Sequence, residues 1–362
     1  MAPPTPFSAS WAGTSPDAHY RGAPLAARKH VRPYEHPPHA LNSDTMQAIV
    51  NEHYGSPDVL QLREVDRPQV TDTGVLVLVL STPITSGDMH LLAGTIFAIR
   101  LYWGIFKPRR KILGWTASGV ALAVGDKVTD VQVGDEIVGE PTNGGAWAEY
   151  VVIPADRIAL KPTALSHAEA ASIPVGALTA LQGLRDKGGI QRGHSVLING
   201  ASGGVGMFAV QLARHFGATV TATCSAAKQD YVRSLGADEV IDYRASDFTE
   251  RDERYDLVLD LVGDRPIAAC KRTLKPNGTY VCLAGAPLRT LRVALFGGKR
   301  MVAMVANPNR TDLTFLMGLI ESGDMRTVID REFPFHELPD AMRYYLAGAA
   351  QGKVMVTLET KE

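Results

Sequence analysis

Four closely spaced glycines follow an apolar run in the segment VLINGASGGVG, which begins at Val196. The run is typical of a buried strand, and an amphipathic helix follows the glycines. A pyrophosphate binds bare backbone N–H groups at a helix N-terminus, where a Cβ at Gly203 or Gly204 would exclude it, and Gly206 lets helix and strand pack closely. With a second strand predicted at Thr219–Thr223, this spacing predicts a dinucleotide site. The alternative is a tight turn without a ligand.

The end of that second strand carries no carboxylate, which bears on the choice of nucleotide. In NAD-selective sites an Asp or Glu about 20 residues past the glycines holds the ribose 2′-hydroxyl. Here Ser225 and Lys228 occupy this region, and a hydroxyl and an ammonium group favour a 2′-phosphate. The sequence therefore predicts NADP(H); an N-cap role for Ser225 and a solvated position for Lys228 are the alternatives. Tyr243 and Arg244 are weaker candidates for the adenosine end.

Strand and helix patterns alternate over residues 166–306, which predicts a parallel doubly wound sheet for a nucleotide-binding domain. Residues 46–165 show short apolar runs separated by turns, without intervening helices, which predicts an antiparallel, barrel-like domain. We expect residues 307–362 to fold back on this first domain. Residues 1–45 lack a helical or strand period, so we expect them to form a disordered N-terminal tail.

The composition is that of an ordinary globular protein of 362 residues, with 45% hydrophobic residues, 21% charged residues and a net charge of −1. This balance does not favour a nucleic-acid partner. The three cysteines form no C-x-x-C pair, so we expect neither a zinc ribbon nor a disulfide framework, which fits a cytoplasmic location. No apolar run reaches the length of about 18 residues that a membrane span needs.

In several ordered segments the chain resembles the medium-chain dehydrogenase/reductases, and within them the zinc-independent quinone oxidoreductase branch. The resemblance covers Met46 to Leu358 and implies a GroES-like β-barrel catalytic domain beside a Rossmann domain, an α/β fold with the active site in the cleft between the two. The segments that carry it are YGSPDVL (54–60), SGDMH (86–90), GDEIVG (134–139), GGAWAEY (144–150), GASGGVG (200–206), DLVG (260–263) and GKV (352–354).

The resemblance also implies which residues contact NADP(H). They include the glycine turn, the 2′-phosphate side, the nicotinamide ribose side and a lysine from the C-terminal segment. The residues are Thr179, Ser202, Gly203, Gly204, Val205, Ser225, Lys228, Tyr243, Val262, Ala284, Gly285, Ala286 and Lys353.

Two departures from the zinc-dependent relatives point to a metal-free site. Thr85 stands where those relatives have a cysteine, and Trp115 stands where they have a histidine. Neither residue is a zinc ligand, since zinc needs thiolate, imidazole or carboxylate groups. Without a Lewis acid, a conjugated acceptor is the better substrate, because its charge delocalises as the hydride arrives. The sequence therefore predicts NADPH-dependent reduction of a quinone or an α,β-unsaturated carbonyl, with Tyr54 and Thr85 as candidate catalytic residues.

Other functions remain open from the sequence. An NADPH-binding sensor or structural protein with little turnover is one, and an enoyl-thioester reductase is another. The resemblance also allows a homodimer through an edge strand, for which Thr279–Leu283 and Met301–Val305 are the candidates.

An aromatic segment and a basic run stand next to each other between residues 97 and 111. The aromatic residues are either a lid over an apolar substrate or part of the core. The basic residues are either a solvated face or a contact for a membrane surface or an anionic substrate. The two sets are Phe97, Tyr102, Trp103 and Phe106, and Lys107, Arg109, Arg110 and Lys111.

Overall fold

The computed structural model of the protein describes residues 43–95, 100–101, 103–283, 290, 293, 295, 297–348 and 350–358. The predicted tail at residues 1–45 therefore lies outside these ranges except for its last three residues, and Thr45 already belongs to the first strand. Two large sheets organise the described chain.

The first large sheet has seven strands and is almost entirely antiparallel, as predicted for the barrel-like domain. Its strands are β3 (Gly74–Ile84), β4 (Ala117–Val124), β5 (Glu136–Gly139), β6 (Tyr150–Pro154), β7 (Ile158–Leu160), β14 (Ile329–Pro334) and β15 (Lys353–Thr357). They are arranged in the order β14-β15-β3-β4-β5-β7, and β6 also pairs with β3. A separate hairpin consists of β1 (Thr45–Asn51) and β2 (Leu60–Asp66).

The second sheet has six parallel strands in the order β10-β9-β8-β11-β12-β13, the strand order of a Rossmann domain. Its strands are β8 (Ser195–Asn199), β9 (Thr219–Cys224), β10 (Glu239–Asp242), β11 (Tyr255–Asp260), β12 (Leu274–Leu283) and β13 (Met301–Met304). The prediction of a doubly wound sheet is confirmed.

Helices follow most strands of the Rossmann sheet and cap the first sheet. They are α1 (Ser86–Ala93), α2 (His167–Ser172), α3 (Pro174–Gln182), α4 (Gly206–His215), α5 (Gln229–Ser234), α6 (Ile267–Arg272), α7 (Arg310–Glu321) and α8 (Leu338–Leu346). The helical pattern over residues 168–184 predicts a break near Pro174, and the structure has one, because α2 ends at Ser172 and α3 begins at that proline. Proline suits the first turn of a helix, where its missing N–H has no helical partner.

Two of the strand predictions differ from the structure. The apolar run from Gly145 to Ile153 predicts a third strand in the first domain, but β6 begins at Tyr150. Gly144 and Gly145 have φ of 75° and 111°, so the chain turns there instead of extending. For the dimer, Thr279–Leu283 cannot offer a free edge, because β12 pairs with β11 on one side and with β13 on the other.

The C-terminal part reaches the first sheet through its last strand. β15 pairs antiparallel with β3, and β14 pairs parallel with β15. Helix α7, however, buries Leu313 and Leu316 in the same apolar cluster as α3 and α4, and α2 packs on β3 and β4. The domain limits at residues 165 and 306 stay predictions, since elements just beyond each limit contact both parts.

Candidate functional site

The glycine turn joins β8 to α4 at the carboxyl end of the central parallel strand. Gly200 has φ of 89°, which only glycine adopts freely. A Cβ on Gly206 would lie 2.3 Å from the Gly200 carbonyl oxygen, whereas the nearest atom to a Cβ on Gly203 would be 3.5 Å away. Gly206 is therefore required for helix–strand packing, and Gly203 leaves open space for a ligand against bare backbone.

A buried hydrogen-bond network holds this turn from below. Thr223 Oγ1 donates to Asn199 Oδ1 at 2.6 Å, and Asn199 Nδ2 donates to Asp260 Oδ1 at 2.8 Å. The Gly200 N–H donates to Thr223 Oγ1 at 3.1 Å, and the Tyr280 hydroxyl donates to Asp260. These four side chains were not predicted from the sequence as part of the site, although three of them lie at or next to the ends of the neighbouring strands β8, β9 and β11.

Lys353 reaches from the first sheet to the glycine turn. Its side chain is only 5% exposed. A Cβ on Gly204 would lie 3.3 Å from Lys353 Nζ, and one on Gly176 of α3 would lie 3.0 Å from the same atom. The ammonium group also lies 6.0 Å from the centre of the Phe208 ring. The lysine predicted to reach the cofactor thus lies beside the turn predicted to bind its pyrophosphate.

Four neighbouring strands of the first sheet end at the same edge as Lys353. The register brings together the ends of β15, β3, β4 and β5 through the pairs Val354–Ile84, Ser81–Ser118 and Ala117–Gly139. At or next to these ends lie Lys353, Thr85, Thr116 and Glu140. Thr116 Oγ1 and Glu140 Oε1 are buried without a hydrogen-bond partner in the described part of the chain. The edge therefore offers two buried polar atoms to which no atom of the described residues is hydrogen-bonded.

Burial shifts the protonation of two of these groups in opposite senses. Burial raises the pKa of Glu140 to about 8, against the attraction of Arg157 and Lys353. Burial lowers the pKa of Lys353 to about 8, although Glu140 and Asp88 favour its charged form. Both shifts follow from the cost of removing a charge from water. Burial thus favours the neutral form of each group.

Thr85 caps the helix that starts at this edge. Its hydroxyl donates to Asp88 Oδ2 at 2.6 Å, and its N–H donates to the same oxygen at 2.9 Å. The Gly114 N–H donates to Asp88 Oδ1 at 3.0 Å. The Thr85 hydroxyl thus donates its proton to Asp88. The predicted catalytic role of Thr85 stays a prediction, and a hydrogen bond from this hydroxyl to the substrate would require the bond to Asp88 to open.

Tyr54 likewise uses its hydroxyl within the protein. The hydroxyl donates to the Gly104 carbonyl at 2.7 Å, and the Arg100 guanidinium lies 4.6 Å from the ring centre. Burial raises the pKa of Tyr54 above its ordinary value. The predicted catalytic role of Tyr54 stays a prediction. The observed hydrogen bond stabilises the segment around residue 104.

The residues predicted for the 2′-phosphate lie together at the ends of β9 and β10. Ser225 follows β9 and makes no side-chain capping bond, and Tyr243 is 45% exposed after β10. Lys228 Nζ donates to the carbonyl oxygens of Gly348 and Ala350, at 3.3 and 2.7 Å. The hydroxyl of Ser225 is thus available, whereas Lys228 also ties this region to the loop before β15.

The other predicted cofactor residues surround the same turn. Thr179 lies three residues after Gly176 on α3 and donates to the Val175 carbonyl at 2.6 Å. Val262 is 57% exposed, and a Cβ on Gly200 would meet its Cγ2 at 2.9 Å. Ser202 and Val205 lie within the turn and are half-buried. The predicted residues Ala284, Gly285 and Ala286 lie outside the described residues.

The side chains at the zinc positions of zinc-dependent relatives do not fit a metal. Trp115 Nε1 and Thr85 Oγ1 both lie 3.5 Å from the position of a Cβ on Gly87, so the two side chains stand close together. Neither an indole nor a threonine hydroxyl offers the ligand chemistry of zinc. In the described ranges, no group of three His, Cys, Asp or Glu residues is placed to hold a metal ion.

The predicted absence of a membrane span concerns the helices. None of the helices that the structure describes has the length and apolar character needed to cross a bilayer. The cytoplasmic location stays a prediction.

Comparison with known proteins gives the family. A family model described as an alcohol dehydrogenase GroES-like domain matches residues 71–163, and one described as a zinc-binding dehydrogenase matches residues 235–356. The 2-methylene-furan-3-one reductase of Solanum lycopersicum is 35% identical over 324 residues, 86% of this chain and 79% of that protein. The chloroplastic NADPH-dependent alkenal/one oxidoreductase of Arabidopsis thaliana is 33% identical over 326 residues, again 86% and 79% of the two chains.

The solved structures agree with this result. The quinone oxidoreductase of Coxiella burnetii superimposes with a TM-score of 0.80 at 30% identity, covering 87% of this chain and all of the other. The fold and the site define a two-domain, nicotinamide-dependent oxidoreductase. The chain belongs to the medium-chain dehydrogenase/reductase superfamily, and its relatives include quinone and alkenal oxidoreductases. The predicted family and fold are confirmed.

Proposed function

We propose that the protein uses NADPH to reduce a quinone or an α,β-unsaturated carbonyl without a metal ion. The observation that carries this proposal is the open turn at Gly203, which faces the buried ammonium group of Lys353 across Gly204. The named activities of relatives at 30–35% identity support the substrate class. Thr85 and Trp115, which replace the zinc ligands, support a metal-free reaction.

The cofactor fits the residues present. The backbone of Gly203 and Gly204 would hold the pyrophosphate at the start of α4, Ser225 and Tyr243 would face the 2′-phosphate, and Lys353 would bind beside the pyrophosphate. When bound, NADPH supplies the hydride that reduces the conjugated acceptor. The protein contributes binding and orientation, because the pyrophosphate side lies on the Rossmann sheet and Lys353 comes from the first sheet.

Reduction of the acceptor also needs one proton, since hydride addition leaves an enolate or a hydroquinone anion. Tyr54 and Thr85 direct their hydroxyl protons to Gly104 and Asp88. Burial instead favours the protonated form of Glu140 by raising its pKa, and one of its oxygens has no partner among the described residues. We therefore add Glu140, which the sequence analysis did not single out, to Tyr54 and Thr85 as a candidate source of the proton.

The test of the activity is NADPH oxidation, followed by absorbance, with 1,4-benzoquinone, 9,10-phenanthrenequinone and a 2-alkenal after treatment with EDTA. Turnover that survives EDTA and prefers NADPH to NADH is the expected result. Tight NADPH binding without turnover on any acceptor would overturn the proposal and favour a sensor or structural protein. Loss of activity with EDTA, restored by zinc, would overturn the metal-free reaction.

The proton source is tested with Glu140→Gln, Tyr54→Phe and Thr85→Val. Loss of the Glu140 carboxyl should lower kcat about 10²-fold, the lower end of the range for general acid catalysis, with little change in the Kd of NADPH. The wild-type rate should also fall as pH rises through about 8, because Glu140 then ionises. If kcat falls only in the Tyr54 or Thr85 variant, the proton comes from that residue instead.

The remaining predictions concern location and assembly. We propose a cytoplasmic enzyme, while named relatives are chloroplastic or mitochondrial. Of the two strands predicted for a homodimer, β13 remains the candidate, because it forms one end of the six-stranded sheet. Sedimentation velocity tests the dimer, and replacing Val302 in β13 by proline should weaken it, since proline cannot donate a ladder hydrogen bond and is poorly tolerated in a strand paired on both sides.

A further inference from the structure

We propose that Leu101, Ile105, Phe106, Lys107 and Arg109 form a surface that docks on an anionic lipid bilayer. We call these five residues the docking surface. The exposed fractions are 60% for Leu101, 46% for Ile105 and 94% for Phe106, and both basic side chains are exposed. Single exposed apolar residues are common, but apolar residues grouped with an exposed basic pair are typical of interfacial membrane contacts.

A tight turn holds Phe106 outward. Gly104 has φ of 120°, and a Cβ there would lie 2.1 Å from the Lys107 carbonyl oxygen. The Arg109 N–H donates to the Trp103 carbonyl at 2.7 Å and closes the turn from the other side. A conformation available only to glycine thus presents the most exposed aromatic side chain of the described chain.

The inner side of this segment is occupied by other contacts. Tyr54 donates to the Gly104 carbonyl, and the Trp103 ring lies 5.7 Å from the Trp115 ring at an interplanar angle of 64°. The Arg110 guanidinium group lies over the Trp103 ring, 5.4 Å from its centroid. These contacts tie Trp103 and Gly104 to the rest of the protein, whereas Phe106 and Leu101 remain exposed.

The charge on the docking surface is local. Lys111 pairs with Glu52 at 3.0 Å, whereas Lys107 and Arg109 have no acidic partner among the described residues. The whole chain carries a net charge of −1, so it has no general attraction to anions. A negative lipid surface would orient the protein with the docking surface facing the bilayer, since each basic residue near such a surface favours binding.

An apolar groove continues from the basic run. It has a volume of about 440 Å³, and its lining includes the apolar residues Val50, Val65 and Ile112 and the basic residues Arg110 and Lys111. Apolar walls beside cationic groups suit a lipid, whose acyl chain and anionic headgroup match the two parts. Nucleic acid would use the cations but leave Phe106 in water, and a second copy of this chain would need an acidic patch opposite Lys107.

The experiment is co-sedimentation of the full chain with phosphatidylcholine vesicles, with and without phosphatidylserine. We expect binding only to the anionic vesicles, and weaker binding at high salt. Lys107→Glu combined with Arg109→Glu should weaken partitioning at least about 25-fold, since each basic residue contributes about fivefold. The matched control is Lys127→Glu combined with Lys187→Glu, which changes the net charge equally on exposed residues elsewhere.

A second pair of variants tests the apolar part. Phe106→Asp should abolish vesicle binding, whereas Val133→Asp, which replaces another exposed apolar residue, should not. Equal effects of test and control variants, or equal binding to neutral vesicles, would overturn the proposal. So would self-association or duplex DNA binding that depends on the same residues while vesicles do not bind. NADPH binding serves as the folding control, and vesicle binding needs no turnover, so its failure would leave the proposed reaction untouched.

Discussion

Replacing Gly203 by alanine should separate cofactor binding from folding. The residue lies in the turn between β8 and α4, and its φ is one that any residue adopts, because it is not among the glycines with positive φ. A Cβ there meets only the Gly200 carbonyl oxygen, at 3.5 Å, which is an ordinary contact. The protein should therefore fold normally, while the added methyl group occupies the space needed by the pyrophosphate.

The expected loss follows from the hydrogen bonds at stake. A backbone N–H that donates to a charged group contributes about 1.5–3 kcal/mol. Loss of one such bond raises the Kd of NADPH about 10- to 100-fold, since 1.4 kcal/mol corresponds to a factor of ten. Gly206→Ala is the contrasting change, because its Cβ would lie 2.3 Å from the Gly200 carbonyl oxygen. Overpacking of this kind costs about 1–3 kcal/mol of folding stability.

The assay measures both quantities on the same two variants. Titration followed by protein fluorescence gives the Kd of NADPH, and urea unfolding gives the free energy of unfolding. Gly203→Ala should change the first and not the second, and Gly206→Ala should lower the second.

Wild-type NADPH affinity in Gly203→Ala would refute the assignment of this turn to the pyrophosphate. A loss of stability as large as that of Gly206→Ala would show instead that Gly203 is needed for packing, and the separation of the two roles would be wrong.

Three further changes test other parts of the site. Ser225→Asp should shift the ratio of the NADH and NADPH Kd values about 100-fold towards NADH, because a carboxylate repels the 2′-phosphate at a cost of several kcal/mol; an unchanged ratio would place that phosphate elsewhere. Wild-type affinity for NADPH should fall as pH rises through about 8, where Lys353 loses its charge. The Lys353→Arg variant should bind NADPH equally at pH 7 and pH 9. Parallel pH profiles of the two proteins would assign the titration to another group. Asp88→Ala should lower the free energy of unfolding by about 3–5 kcal/mol in urea, because two buried N–H groups and one hydroxyl lose their acceptor. The exposed Asp58→Ala is its control, and equal losses would contradict the role of burial.

The parts of the fold that the sequence predicts are those whose partners lie nearby in the chain. The glycine turn, the strand before it and the helix after it are contiguous, so their pattern predicts both the Rossmann sheet and the position of Gly203. The break at Pro174 is local in the same sense. The dimer prediction failed at Thr279–Leu283, because a strand's pattern does not reveal whether one or both of its edges are paired.

The site was predicted less completely, because its polar contacts join distant residues. Lys228 has the right type for a phosphate, yet its ammonium group also binds the carbonyl oxygens of Gly348 and Ala350. Glu140 directly follows the GDEIVG motif, but its place in the site could not be predicted from the motif. It depends on the register of β4 and β5, which brings Glu140 to the same edge of the sheet as Lys353. Thr85 was singled out by its position, whereas its partner Asp88 was not, since capping depends on side-chain geometry.

The return of β15 to β3 has a consequence for biosynthesis. Ser81 donates to the carbonyl oxygen of Val356, 275 residues later in the chain, whereas every strand of the Rossmann sheet lies between residues 195 and 304. During synthesis the Rossmann sheet can assemble from consecutive segments. In contrast, the part of β3 that pairs with β15 stays unpaired until residue 357 has left the ribosome. Distant pairings form slowly, and an unpaired strand edge favours aggregation. We therefore expect newly made chains to depend on chaperones while the first sheet is incomplete.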